Sequence, residues 1–287
     1  VRLFGGGRVV EHGVLEAPGG RRLRAGAFPI SIDTAHIARQ AEAAVGKASV
    51  KRLQASLANR ALAIGVDRLD YSKGLPERFR AFERFLKRHP QHVGRLTFLQ
   101  IAPVSRGEVA EYRSLRNELE QLAGHINGSH AEPDWTPVRY VNRNYPHPTL
   151  TGFYRLAQVG LVTPLRDGMN LVAKEFVASQ NPDDPGVLVL STFAGAAREL
   201  DAALLVNPFD IDGVADAIAR ALLMPRAERR ERWLAMMKKL LAHDITHWRR
   251  SFLDALRDAE RQFDFDPLIV APRWNGSSRS ISAARTM

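Results

Sequence analysis

Cysteine is absent from all 287 residues, which excludes disulfide frameworks, thiol nucleophiles and cysteine metal sites together. Long apolar runs are missing too: no uninterrupted stretch approaches the roughly 18 residues a membrane span needs. The opening Val1-Arg2-Leu3-Phe4, followed by three glycines, has no apolar signal-peptide core. A cytoplasmic location and no membrane partner are therefore expected. Acidic residues are outnumbered, 31 against 41 Lys plus Arg, giving a net charge of +10; such a field attracts anions without naming them. The cations nonetheless stand among acids, as in Glu77-Arg78, Glu83-Arg84 and Arg229-Arg230-Glu231-Arg232, the pattern of solvated helix faces. Zinc-finger spacing and aromatic RNP-type sequence are both lacking, so no nucleic-acid partner is expected.

What is present is ample material for a core, 45% of residues being apolar. Short apolar runs alternate with amphipathic stretches from about residue 61: Ala61 to Val66, Leu96 to Ala102, Val138 to Val141, Val159 to Thr163, Val187 to Leu190 and Leu204 to Val206. Being apolar at nearly every position, they suit strands covered on both faces, as in a parallel sheet. Leu75, Phe79, Phe82, Phe85 and Leu86 share one helical face behind Gly74-Leu75-Pro76, and Pro90 closes that helix. A second stripe, Val109 to Ile126, is expected to end at Asn127-Gly128. Further helices are expected at about 149–157, 171–180, 213–223, 226–242 and 246–262. The strand, loop, helix order predicts an α/β fold with a doubly wound, Rossmann-like domain.

Ligands in such a sheet gather beyond the carboxyl ends of the strands, and three loops there are unusual. Val66 to Gly74 places Arg68 and Lys73 in one loop; they can clamp a diphosphate, or pair with Asp67 and Asp70. After the next strand, Ser105 is a candidate cap and Arg106 stands in a first turn, where the helix dipole prefers acids. Arg106 thus serves an anionic ligand or is an ordinary surface arginine. The third loop, Pro164 to Phe176, turns a buried strand into a helix through Gly168. The free N–H groups of Gly168, Met169, Asn170, Leu171 and Val172 form a candidate anion cradle. Asp167 can accept from a sugar hydroxyl and Glu175 from a ribose diol. The alternative makes Asp167 or Asn170 a helix cap and Glu175 an exposed helix residue.

The stretches VDRLDYSKGLPERF (66–79), QIAPVSRGEV (100–109), GLVTPLRDGMNLVAKEFVASQ (160–180) and VLVLSTFAGAARELDAALLVNP (187–208) closely resemble the trehalose-6-phosphate synthase family, and FPISIDTAHIARQ (28–40) and HDITHW (243–248) agree in order and separation. The resemblance implies the two-domain GT-B glycosyltransferase architecture and transfer of glucose from UDP-glucose to glucose 6-phosphate with retention, without a metal or other cofactor. It implies that Arg68 and Lys73 hold the donor diphosphate and that Arg106 reaches the acceptor phosphate. Asp167 would bind the transferred glucose, the amides from Gly168 to Leu171 would face sugar or diphosphate, and Glu175 would take the ribose. It divides the chain into 1–33, a remnant of the acceptor domain; 34–245, the nucleotide-sugar domain; and 246–264, a crossover helix, while the Ser-rich, aperiodic 265–287 is expected to be a flexible tail.

Two departures stand out. About 30 residues occupy the place of the family's whole N-terminal domain, so transfer is expected to be impaired, with a homo-oligomer or a separate N-terminal domain as the implied partner. The competing expectation is a catalytically silent regulatory or subunit-interaction module. The second departure is Tyr145-Pro146-His147-Pro148, where the family carries an aromatic and then a basic residue bordering the nucleotide. Elsewhere, His243 and His247 have the i, i+4 spacing of a zinc helix, but no third ligand suggests itself, and capping and packing near Trp248 are the expected roles.

Overall fold

The structure, a computed structural model, describes residues 8–11, 13–17, 20, 22–103 and 110–262. Two compact units are present, one of residues 28–250 and one of 1–27 with 251–287. In the smaller, β1 (Arg8–Glu11), β2 (Val14–Glu16) and β3 (Arg22–Arg24) form an antiparallel sheet in that order.

The larger unit opens with α1 (Thr34–Ala44) and α2 (Ala48–Ser56), neither of which the apolar periodicity singled out. Asp33 caps α1 by accepting from the His36 amide at 2.9 Å. Next come β4 (Ala61–Val66), α3 (Leu75–Arg88), β5 (Leu96–Ile101), α4 (Ala110–His130), β6 (Val138–Val141), α5 (His147–Leu156), β7 (Val159–Val162) and α6 (Leu171–Ser179). The series closes with β8 (Val187–Ser191), β9 (Leu204–Val206), α7 (Ile211–Leu223), α8 (Arg226–Ala242) and α9 (Ile245–Gln262). All six expected strands are present. α4 does not stop at Asn127-Gly128 but continues to His130. The Asn127 amide donates to the Val138 carbonyl at 3.0 Å, and its Oδ1 accepts from the Val138 N–H at 2.9 Å, so this asparagine docks β6 instead of ending the helix.

The six strands pair in parallel in the order β6-β5-β4-β7-β8-β9. Because successive side chains point to opposite faces, Leu62, Ile64 and Val66 enter one core with residues of α1, α5, α6 and α8, while Ala63 enters the other with those of α3, α4 and α7. The domain is therefore doubly wound. Chain direction across the sheet reverses between β4 and β7, and at such a switch point the loops part and leave a crevice beyond the strand ends.

Candidate functional site

The loops after β4 and β7 meet at this crevice. Gly74, at φ 63°, turns the chain from a single 3-10 turn, Tyr71–Lys73, into α3. That turn offers the Ser72 carbonyl to the amides of Leu165 and Arg166 at 2.8 and 3.2 Å. Residues 167–169 are held from the other side: the Asp167 amide donates to Phe193 O at 3.1 Å, and the amides of Gly195 and Ala196 donate to Asp167 O and Met169 O at 3.1 and 2.8 Å. This backbone stitching sets Lys73 against Asp167, whose Nζ and Oδ2 lie 2.6 Å apart with both side chains about 15% exposed (16% and 15%). Asp167 also accepts from the Asn170 side-chain amide at 3.1 Å.

Asn170, at φ 75°, is the cap of α6 and accepts from the Ala173 amide at 3.0 Å. With Ala173 occupied, the amides of Leu171 and Val172 are first-turn donors that no earlier helical carbonyl can reach. Gly168 is exposed. Its φ is not positive and an added Cβ would meet nothing within 4 Å, so the chain itself does not require glycine there. Gly195 is the opposite case, since its Cβ would stand 2.1 Å from Gly168 O.

Glu175 is not an exposed helix residue: its side chain is 17% exposed, and Oε1 lies 3.3 Å from His147 Nε2. Burial pushes this carboxyl above its ordinary value, opposed by His147. Arg68 is exposed on the β4 loop. Desolvation works against the nearby Asp70 carboxylate, but hydrogen bonds from the Ser72 hydroxyl and amide, with the charges of Lys73 and Arg68, hold it below its ordinary value. Arg68 and Lys73 thus act on Asp70 through their charge, while the close ion pairs are Lys73 with Asp167 and Arg78 with Asp67. Arg106 and Ser105 lie outside the described residues. Among the described residues no cluster of three His, Asp or Glu could hold a metal ion, and no helix is long and apolar enough to cross a membrane. His243 ends α8, its ring 5.0 Å from that of His247.

Sequence reasoning missed the support beneath these groups. Arg78, fully buried, donates to Asp67 at 2.6 Å, Gln100 at 2.9 Å, Thr163 at 3.0 Å and the Lys73 carbonyl at 3.3 Å. One guanidinium thereby joins the ends of β4, β5 and β7. Gly65 leaves room for it, since a Cβ there would fall 2.6 Å from Nη1. The signal was available, because Arg78 falls on the stripe of Leu75, Phe79 and Phe82. Lys174, also fully buried, pairs with Glu199 at 2.9 Å and donates to Ile30 O at 2.9 Å, drawing the 28–33 segment onto α6.

The glycosyltransferase family 20 model matches residues 8–258. The trehalose-6-phosphate synthase of Sinorhizobium fredii is 54% identical over 253 residues, covering 88% of this chain and 53% of that protein. The Escherichia coli O1:K1 trehalose-6-phosphate synthase is 49% identical over 238 residues, covering 83% and 50%. The chain thus spans about half the length of these curated relatives. A Burkholderia xenovorans UDP-forming alpha,alpha-trehalose-phosphate synthase, solved with glucose-6-phosphate, superposes with a TM-score of 0.86 at 50% identity, covering 88% of this chain and 56% of the other. An E. coli structure bound with UDP-2-fluoro glucose gives 0.83 at 47% identity, covering 88% and 55%.

Proposed function

The chain belongs to glycosyltransferase family 20, and on that premise we propose that it is the donor-binding half of a retaining glycosyltransferase. The reaction would move glucose from UDP-glucose to glucose 6-phosphate, yielding trehalose 6-phosphate and UDP. The observation that carries this reading is the Lys73–Asp167 pair at the switch point, beside the open backbone of Gly168 and the first turn of α6. The relatives solved with glucose-6-phosphate and with UDP-2-fluoro glucose support the two substrate classes.

In this reading a donor diphosphate takes Lys73 from Asp167, leaving the carboxylate to accept from a glucose hydroxyl. Arg68 adds a bidentate cation, the amides from Gly168 to Val172 face sugar and phosphate, and Glu175 accepts from the ribose. Departure of the diphosphate from the face where the acceptor hydroxyl enters builds negative charge on the leaving group. Preorganised cations and helix amides stabilise that charge more in the transition state than in the ground state. Neither a protein nucleophile nor a cofactor has a part in the step. Arg106 is assigned the acceptor phosphate by resemblance alone. Turnover further requires an acceptor held against the donor in one cleft.

Titration calorimetry tests the reading: UDP and UDP-glucose should both bind the folded chain, and absence of heat from either ligand overturns it. The second reading, a subunit-interaction module, draws on Phe193 and Phe209, exposed aromatics beside the crevice with ring centroids 6.1 Å apart. Concentration-dependent sedimentation abolished by Phe209→Ser, with no glucosyl transfer even when nucleotide sugar binds, would favour it.

A further inference from the structure

Arg78 reaches both loops of the crevice from beneath. Its Nη2 donates to the Lys73 carbonyl at 3.3 Å and its Nε to the Thr163 hydroxyl at 3.0 Å. One fully buried side chain thereby touches the loop that carries Lys73 and the residue from which the chain runs on to Asp167. Nη1 divides between Asp67 Oδ2 at 2.6 Å and Gln100 Oε1 at 2.9 Å. Balancing the buried Asp67 charge takes Nη1 alone; the bonds from Nη2 and Nε serve the loops instead.

The two loops also come close at this level. Gly74 stands against Thr163, where an added Cβ would lie 2.6 Å from the Thr163 carbonyl oxygen, and the Ser72 carbonyl takes the amides of Leu165 and Arg166. Lys73 lies between these two points, with its carbonyl on Arg78 and its Nζ 2.6 Å from Asp167 Oδ2. Arg78 thus sets the peptide plane from which the Lys73 side chain leaves.

We propose that Arg78 is a positioning residue for the donor diphosphate: by holding the Lys73 carbonyl and the Thr163 hydroxyl in one planar fork, it fixes the gap between the loops after β4 and β7, so that Lys73 can exchange Asp167 for a phosphate without either loop moving. This rests on the assignment of the diphosphate to Lys73. A lysine in place of Arg78 would keep a charge beside Asp67, but it offers one nitrogen where the fork offers three, and cannot serve Asp67 and both loops together.

The test is UDP binding by the full chain, measured by calorimetry, or by NMR titration where binding is weak, with melting temperatures to show that each variant is folded. UDP is the probe because it carries the diphosphate and lacks the glucose that Asp167 would hold. Thr163→Val keeps the β-branched shape and the Arg78–Asp67 pair while removing the hydroxyl that accepts from Nε; it should weaken UDP about three- to tenfold. Arg78→Lys should weaken it at least as much. In a Lys73→Ala background, Thr163→Val should change UDP affinity by less than about twofold, because the group being positioned is gone. A merely structural role would cost the same in both backgrounds. Parent-like UDP binding by Thr163→Val, or an equal loss with and without Lys73, overturns the inference while leaving the donor assignment standing. Failure of the parent chain to bind UDP overturns the donor assignment itself. The Thr163→Val cycle decides the point even if Arg78→Lys does not fold.

Discussion

Lys73 and Asp167 neutralise one another across the crevice, and each is what the other would give up to a ligand. Lys73→Ala should therefore weaken UDP about ten- to hundredfold, because a charge-assisted contact in a partly desolvated site is lost. The same change should lower stability by about 1 kcal/mol, since Asp167 is left without its cation. Calorimetry and urea denaturation separate the two effects. Glu175 allows a prediction of opposite sign. Its folded value lies above the ordinary carboxyl value of 4.5 because burial disfavours the carboxylate. For a group raised in this way, its stabilising contribution is complete below the unfolded value and is lost as pH rises through the folded one. Glu175→Gln should consequently match the parent in acid and become the more stable protein as pH rises above 4.5, while losing donor affinity, as expected where binding maintains a strained charge. Melting temperatures across pH check this; a parent that gains on the variant with rising pH contradicts it.

At the scale of elements, two glycines that meet from different loops separate structure from function. Gly195 lets its loop press against Gly168 O, so Gly195→Ala must move the 167–169 turn, with a loss of about 1–3 kcal/mol and weaker donor binding. Gly168 has open space where its Cβ would be and no positive φ. Gly168→Ala should leave stability within about 1 kcal/mol of the parent yet weaken UDP-glucose, because the methyl would occupy the approach of a phosphate or sugar. Equal binding by that variant would remove Gly168 from the site. The strands and most helices were legible because fully buried strands leave nearly unbroken apolar runs, as in Val187 to Leu190. The Lys73–Asp167 contact was not, because it joins residues 94 apart through backbone bonds to Ser72 and Phe193 that no local pattern encodes. Arg78 was overlooked for a different reason: a charge within an apolar stripe reads as a surface residue until its acceptors from β4, β5 and β7 are assembled. The end of α4 was misplaced because Asn127 spends its amide on β6, a partner beyond the helix.

For the whole molecule, the decisive feature is where the core lies. Every residue of the two hydrophobic clusters falls between Ile32 and Leu240, inside the 28–250 unit. The capping Asp33, the buried Lys174–Glu199 pair and the Trp248 indole bonded to Phe28 O at 3.0 Å also lie within it. Independent folding needs a closed core, and this unit has one. A chain of residues 28–250 should therefore unfold in one cooperative transition, within about 5 °C of the full chain, and bind UDP-glucose with the same affinity. Calorimetric scanning and titration of the two chains decide the point. A fragment that folds but no longer binds would mean that the donor site draws on groups outside the Rossmann-like unit, whereas one that fails to fold would show that its core is incomplete.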